Sequence, residues 1–276
     1  MNVKKPIVSI VIPLFNGEKY ISETIKSVLN QTYSNFELII IDDKSTDQSL
    51  KIAHSYKDQR IKIKSNSIRV GFVNNWNLAL NEINGIYGKI LPHDDLLEPT
   101  CIEKQVDILE KNNEITFVHC GRRIIQPNGK LILRKKPGKE GVINLEKSLR
   151  EIVLSGTNPI GEPASVLFKS SSMKSIGLFS NDDNFTIDID YWIRLLTVGP
   201  RYSQKDILCS FRIWNKSESF LLYGSQSNSM INFYKKIYLK YPKYIKKIEL
   251  KIGIIRSKIN EIIRGLIYKY ITIKSN

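Results

Sequence analysis

The chain has 276 residues, of which 42% are hydrophobic and 25% charged, and its formal net charge is +15. This composition is ordinary for a soluble globular protein with ample core. No window reaches the roughly 18 to 20 uninterrupted apolar residues of a membrane-spanning helix, and the apolar run after Pro6 is too short for a signal peptide. The three cysteines, at positions 101, 120 and 209, have no C-x-x-C spacing, which excludes a disulfide framework and predicts reduced thiols in a cytoplasmic protein.

Strand and helix patterns alternate over the first 120 residues, which is typical of a parallel sheet covered by helices. The predicted strands are residues 7–14, 36–41, 60–64, 87–91 and 115–119, and the predicted helices are 18–30, 45–56, 72–83 and 99–112. We therefore expect an α/β fold with a mostly parallel, Rossmann-like sheet.

The second half is less regular. Residues 126–129 predict a turn between two antiparallel strands, and residues 137–141 an exposed, mobile loop. A strand at 164–168, a helix at 190–198 and a last strand at 207–213 follow, and the pattern is helical from residue 227 onward.

Two acidic pairs each follow a short apolar run: Asp42-Asp43 and Asp94-Asp95. Adjacent carboxylates at the ends of buried strands are unfavourable, because like charges repel and burial disfavours the ionised form. A cation or a polar ligand compensates such pairs, and ligands bind at the carboxyl ends of the strands in open α/β sheets. The two pairs predict a site for a polar ligand and a divalent metal.

Several ordered motifs resemble those of the family-2 inverting glycosyltransferases of bacterial surface-polysaccharide type, which have the GT-A fold. The motifs are residues 8–16 (VSIVIPLFN), 27–33 (SVLNQTY), 37–47 (ELIIIDDKSTD), 94–95 (DD), 161–163 (GEP) and 188–194 (DIDYWIR). The resemblance covers roughly residues 7 to 214 and rests on their combination and order.

The resemblance implies a nucleotide-sugar site. Asp43 is the candidate acceptor for a ring N–H of the base, and Asp42 would support it or cap the following helix. Both could instead be anions favoured by the N-terminus of that helix. The residues implied for the nucleotide sugar are Pro13, Phe15, Asn16, Asp42, Asp43 and Asp94.

The resemblance also implies a Mn²⁺ or Mg²⁺ site at Asp95 and Asp94, since these ions prefer oxygen ligands and share them with substrate phosphates. The alternative is a capping cluster before the next helix. The chain departs from the common Asp-x-Asp-Asp form, with Pro92 and His93 at its first positions, and it has Trp214 where many relatives carry His.

For catalysis the resemblance implies a general base at Asp188, four residues before Trp192 and six before Arg194. Asp190 is the alternative, because a two-residue shift of the alignment exchanges them, and either could be a helix N-terminal anion. Glu162 is the candidate for orienting an acceptor hydroxyl, or it is a turn carboxylate in solvent.

Residues 227–276 predict a basic amphipathic tail after a glycosyltransferase domain at 1–226, whose nucleotide half is about 1–120 and whose acceptor half is about 121–226. From residue 233 onward, 12 lysines and arginines stand against two glutamates. The tail could lie on an anionic membrane surface, pack on the domain or pair with a second copy. Apolar residues recur along it at steps of three and four, at Ile245, Ile248, Ile252, Ile255, Ile259, Ile262 and Leu266.

These features together predict a metal-dependent enzyme that transfers a sugar from a nucleotide-diphosphate donor to a hydroxyl of a glycan or lipid-linked acceptor, with inversion. The alternatives are a non-catalytic nucleotide-sugar-binding relative and a nucleotidyltransferase. The latter lacks the Gly-rich, basic phosphate loop expected after the first strand. A nucleic-acid-binding protein is disfavoured, because the positive charge lies in a tail with an isoleucine face and the chain has no recognisable binding module.

Overall fold

In the computed structural model of the protein, residues 8–275 are described, with side-chain surroundings as far as residue 271. The residue that begins the first predicted strand and the last residue of the predicted tail lie outside this range. The strands are β1 (Val8–Leu14), β2 (Phe36–Asp42), β3 (Ile61–Ser65), β4 (Tyr87–Ile90), β5 (Leu96–Leu97), β6 (Phe117–Ile125), β7 (Leu131–Lys135), β8 (Gly141–Ile143), β9 (Val166–Lys169) and β10 (Arg201–Arg212). The helices are α1 (Ile21–Leu29), α2 (Ser49–Ser55), α3 (Phe72–Asn81), α4 (Cys101–Lys111), α5 (Leu145–Ser155), α6 (Ser170–Ile176), α7 (Ile187–Leu196), α8 (Glu218–Leu221), α9 (Gln226–Lys240) and α10 (Lys247–Ser275).

All ten strands join one sheet, with the order β3-β2-β1-β4-β9-β6-β10-β5; β7 pairs with β6, and β8 with β10. The strands β3, β2, β1 and β4 run parallel, as do β6 and β10, and these form the longest ladders. Strand β9 is antiparallel to both β4 and β6 and joins the two halves. The predicted mostly parallel sheet is confirmed.

The sheet is covered on both faces, which explains why β1 reads as a continuous apolar run with every residue buried. One core packs α3, α5, α7 and α9 against one face, and a second packs α1, α2 and α4 against the other. The parallel strands all end at one edge of the sheet, and the acidic pairs Asp42-Asp43 and Asp94-Asp95 lie at or just after the ends of β2 and β4.

The sequence pattern missed α5, α6, α8 and the short strands β5 and β8. Helix α5 has clear local signals: the Asn144 side chain accepts a hydrogen bond from the Lys147 N–H at 3.0 Å, and Gly156 ends the helix with a φ of 67°. Residue Gly141, predicted to end a loop, begins β8. Helix α7 starts at Ile187, three residues earlier than predicted, so that Asp188 lies in its first turn.

Helix α10 packs on α5 and α9 through its small residues. A Cβ on Gly253 would lie 2.3 Å from the carbonyl oxygen of Val153, and the side chain of Ser257 is fully buried. The residues predicted as the apolar face of the tail largely point the other way: Ile255, Ile262 and Leu266 are 60 to 66% exposed. Packing on the domain therefore occurs through a different face from the isoleucine stripe.

None of the helices within residues 8–275 combines the length and the apolar character that crossing a lipid bilayer requires.

Candidate active site

A cavity of about 900 Å³ opens at the edge of the sheet where β1, β2 and β4 end. It extends across the sheet to the ends of β6, β7 and β10 and to the inner face of α10. Among the described residues, three predicted site residues do not line the cavity: Asp42, Asp95 and Asp190. The predicted site residues that line the cavity are Pro13, Phe15, Asn16, Asp43, Asp94, Glu162 and Asp188.

Asp43 is buried at the β2 end of the cavity and anchors the loop before α3. Its carboxylate accepts hydrogen bonds from the backbone N–H groups of Val70 at 2.8 Å and Gly71 at 2.9 Å, and from the Asn66 amide at 3.0 Å. An ionised carboxylate has about four acceptor positions, so one stays available toward the cavity. The predicted contact with a ring N–H stays a prediction.

Asp42 is also buried, and its carboxylate turns away from the cavity. It accepts hydrogen bonds from the backbone N–H of Ser45 and from the hydroxyl of Ser65 at 2.9 Å. With these contacts Asp42 holds the loop after β2 in place. This is the supporting role considered for it, and not that of a direct ligand of the nucleotide.

The loop after β1 is fixed against the loop after β2. Asn16 has a φ of 47°, and its side-chain oxygen accepts a hydrogen bond from the Thr46 N–H at 2.8 Å. Beside it, the guanidinium carbon of Arg69 lies 4.0 Å from the centre of the Phe15 ring, and both line the cavity. Sequence reasoning missed Arg69, whose loop position gave no motif signal.

The loop that carries Asp94 and Asp95 is held by residues at the end of β10. The buried Arg212 side chain donates to the carbonyl oxygen of Asp94 at 3.0 Å, and the Arg212 backbone N–H donates to one carboxylate oxygen of Asp95 at 3.0 Å. The indole N–H of Trp214 donates to the Asp94 carboxylate at 2.7 Å. Trp214, noted from the sequence only as a departure from the family pattern, is therefore a direct partner of the acidic pair.

The second carboxylate oxygen of Asp95 is buried and has no hydrogen-bond partner among the described residues. Burial, followed by the adjacent Asp94, raises the pKa of Asp95 well above its ordinary value. A divalent cation would satisfy this oxygen. Among the described residues no group of three or more His, Cys, Asp or Glu side chains could hold a metal, so the two carboxylates would need ligands from the substrate.

Asp188 faces the cavity from the first turn of α7. Its carboxylate accepts hydrogen bonds from the Asn158 amide at 2.9 Å and from the Ile189 N–H at 2.7 Å. Burial and the nearby Glu162 carboxylate raise the pKa of Asp188 to about 7. A carboxylate with this pKa is well matched to accept a proton near neutral pH.

Glu162 lines the cavity and forms an ion pair with the buried guanidinium of Arg122. Gly161 beside it has a φ of 111°, and a Cβ there would lie 2.8 Å from a guanidinium nitrogen of Arg122. The carbonyl oxygen of Gly161 accepts the indole N–H of Trp192 at 3.1 Å. Glu162 is thus a fixed carboxylate rather than a mobile one in solvent.

Asp190 does not reach this cavity. It pairs with Arg194 one turn along α7 at 2.9 Å and lines a separate surface cavity between α7 and α9. Of the two candidate bases, the geometry therefore favours Asp188.

The comparisons with known proteins identify the family of the chain. Residues 9–177 match the family model described as glycosyl transferase family 2. The chain belongs to glycosyl transferase family 2. An uncharacterized glycosyltransferase of Haemophilus influenzae is 29% identical over 279 residues, covering 96% of this chain and 85% of the relative. Another, from Rickettsia typhi, is 33% identical over 214 residues, covering 77% of this chain and 65% of the relative.

Solved structures show that this family-2 chain has the GT-A fold. TarS of S. aureus, residues 1–349 in complex with UDP-GlcNAc, has a TM-score of 0.67 at 16% identity and covers 92% of this chain and 72% of its own. The Pyrobaculum calidifontis mannosyltransferase in complex with GDP-Man and Mn²⁺ has a TM-score of 0.62 at 16% identity. The match covers 85% of this chain and 65% of the mannosyltransferase chain.

The raised pKa of Asp188 predicts a pH-dependent stability difference for Asp188→Asn. Between about pH 4 and 7 the folded enzyme holds a proton on Asp188 that the unfolded chain has released, so its stability falls as the pH rises through this window and levels off above it. The variant lacks this decline. Urea denaturation should therefore show that the free energy of unfolding of the variant, relative to that of the wild type, is higher at pH 8 than at pH 5. An equal difference at both pH values would contradict the burial of this carboxylate.

Proposed function

We propose that this family-2 glycosyltransferase moves a sugar from a nucleoside-diphosphate sugar to a hydroxyl of a glycan or lipid-linked acceptor, with inversion of the anomeric carbon and with Mn²⁺ or Mg²⁺. The observation that carries the proposal is the shared cavity. Asp43, Asp94 and Asp188 all line it, as groups that serve the base, the diphosphate and the reacting sugar would have to.

In this proposal the nucleotide lies over the loops after β1 and β2. Asp43 accepts from the base, and Phe15 with Arg69 forms one wall beside it. The neighbouring proteins bind a uridine and a guanosine nucleotide according to their descriptions, so we test both nucleotides rather than choose one.

The reaction is a single displacement. Asp188 accepts the proton of the acceptor hydroxyl while that oxygen bonds to the anomeric carbon, and the bond from this carbon to the diphosphate breaks on the opposite side. Asn158 holds the carboxylate in place, and Glu162, fixed by Arg122, orients the acceptor. Asp95 and Asp94 would hold the divalent ion, which neutralises the charge of the departing diphosphate.

A non-catalytic nucleotide-sugar-binding protein is the second candidate, because Trp214 already uses one oxygen of Asp94. Metal-dependent hydrolysis of a nucleotide sugar separates the two, since a binding protein would protect the donor without consuming it. A nucleotidyltransferase draws no support from the site.

We further propose that the enzyme works in surface-polysaccharide synthesis. It would be a cytoplasmic protein that binds the membrane surface peripherally with the outward face of α10. This face carries exposed Ile255, Ile259 and Ile262, and Lys251 and Lys258 flank it. A second copy fits less well, because both glutamates of α10 within the described residues are engaged elsewhere: Glu249 pairs with Arg150, and Glu261 accepts from Ser227. Two such faces would bring lysines together without acidic partners, whereas anionic headgroups complement them.

The metal assignment predicts the behaviour of Asp95→Asn. The variant should lose the Mn²⁺-dependent part of UDP or GDP binding, because the oxygen left free for a cation becomes part of a neutral amide. Isothermal titration with Mn²⁺ or with EDTA measures this, and Asp58→Asn, on a distant surface loop, is the control. Unchanged Mn²⁺-dependent affinity in Asp95→Asn would remove the metal site.

The base assignment predicts a split between binding and turnover. Asp188→Asn should retain donor affinity and lower kcat by about 10²- to 10⁴-fold, the usual contribution of a general base. Asp190→Asn, two residues along the same helix, should keep kcat within about twofold, because proton transfer requires hydrogen-bond reach and Asp190 lies outside the cavity. Steady-state transfer assays check both, and the reverse pattern would make Asp190 the base.

The membrane assignment predicts binding to anionic vesicles that high salt reverses. Lys251→Gln/Lys258→Gln should weaken partitioning by roughly 10- to 30-fold, since each lysine near the surface contributes on the order of 1 kcal/mol. Vesicle sedimentation measures this. Lys26→Gln/Lys51→Gln, which removes the same charge from α1 and α2, should bind like the wild type. If all three proteins stay in the supernatant and the wild type is a dimer, the face pairs two copies instead.

A further inference from the structure

The end of the cavity remote from Asp43 is built by the inner face of α10 together with β6, β7 and β10. Strand order separates the two ends, because β1, β4 and β9 lie between β2 and β6. In the proposed function the nucleotide occupies the β2 end, so this far end belongs to the acceptor.

Arg264 points inward from α10 and lines this end. Its Nε and one terminal nitrogen, Nη2, are buried, and neither has a hydrogen-bond partner among the described residues. The guanidinium carbon lies 5.6 Å from the centre of the Phe185 ring, close to the start of α7 and Asp188. Burial lowers the pKa of Arg264, and the nearby Tyr268, Glu261 and Tyr234 offset this effect only in part.

Lys135 lines the same end of the cavity as the last residue of β7. Burial and then the nearby Arg122 lower the pKa of Lys135. Glu162 is the closest acidic influence on it, but Arg122 already pairs with that carboxylate. Within the part of the chain that the structure describes, no carboxylate forms an ion pair with Lys135 or Arg264.

Apolar side chains surround these two cations. Tyr268 and Ile271 of α10 pack with residues of β6, β7 and β10 in a separate small cluster. The cluster members that also line the cavity are Ile124, Leu133, Phe211, Ile213, Ile267 and Tyr268. This end therefore combines an apolar wall with two cations that have no direct ion-pair partner among the described residues.

From this combination we infer that Arg264 and Lys135 form a subsite for a phosphate group joined to an apolar chain, the linkage of a lipid-linked acceptor. The inference rests on the proposed function for its acceptor role. Two cations without a direct ion pair suit a phosphate better than a carboxylate, because the phosphate oxygens can accept from both, and an arginine fork beside a lysine is a common phosphate-binding pair. The apolar wall would contact the first part of the ligand's apolar chain. Part of this wall belongs to α10, whose outer face is proposed to lie on the membrane.

The test measures phosphate binding apart from catalysis. Inorganic phosphate and decyl phosphate below its micelle concentration are titrated into the full-length protein with EDTA present, so that no metal-dependent diphosphate site forms. Arg264→Gln and Arg264→Gln/Lys135→Gln should weaken both by at least tenfold, while Lys26→Gln, on the exposed face of α1, should leave both unchanged. Decyl phosphate should bind the wild type at least tenfold more tightly than glycerol phosphate, because only the alkyl chain can use the apolar wall.

A structural role for Arg264 is separated by stability. Arg264→Met should raise Tm or leave it unchanged, since a buried guanidinium without partners destabilises the fold. A large fall in Tm with unchanged phosphate affinity would overturn the subsite, as would equal binding of decyl phosphate and glycerol phosphate.

The donor site is tested separately with UDP and GDP in Mn²⁺. Arg264→Gln should bind the nucleotide as the wild type does; if it loses nucleotide binding and phosphate competes with the nucleotide, Arg264 serves the donor and the inference fails. If no nucleotide binds the wild type while phosphate binding still depends on Arg264, the subsite stands and the proposed function fails.

Discussion

The burial of Asp95 with one carboxylate oxygen unpartnered is the constraint on which the site depends. Arg212 compensates the acidic loop only in part, because its side chain binds the Asp94 carbonyl and Glu23 while its backbone N–H binds Asp95. The guanidinium thus fixes the position of the loop without pairing with either of its carboxylates. Such an arrangement keeps a strong acceptor ready for a cation and leaves the free protein with a buried acid whose pKa is raised.

The same contacts join the two halves of the sheet. Arg212 ends β10 and Trp214 follows it; β10 pairs with β6 in one half of the sheet, whereas Asp94 and Asp95 follow β4 in the other. A movement of one half relative to the other would therefore change the acidic loop directly. Trp214, the departure from the family pattern noted in the sequence, supplies an indole N–H donor, which binds the Asp94 carboxylate but cannot ligate a metal.

The sequence predicted most of the parallel half of the fold because its strands are continuous apolar runs and its helices carry regular stripes. It was less successful where tertiary packing decides. The isoleucine stripe of α10 left membrane binding, packing and pairing open, and only the structure shows that Gly253 and Ser257 face α5 while most of the isoleucines stay outside. Spacing favoured Asp188 and left Asp190 as the alternative; the position of α7 relative to the cavity separates them.

The sequence did not predict that Arg264 and Arg69 line the cavity. Each lies outside the family motifs, and its position in the site depends on contacts with residues far away in the chain. Arg264, Asp95 and Asp188 share a physical property nevertheless: burial disfavours the charged form of each. The two acids lie near the proposed metal and reacting sugar, and the arginine lies at the far end of the cavity. A cation at Asp95 and a phosphate at Arg264 would each compensate a buried charge, so binding of donor and acceptor should stabilise the fold. In this view one cause, the burial of charges that only bound substrates compensate, both destabilises the free site and makes it selective for those substrates.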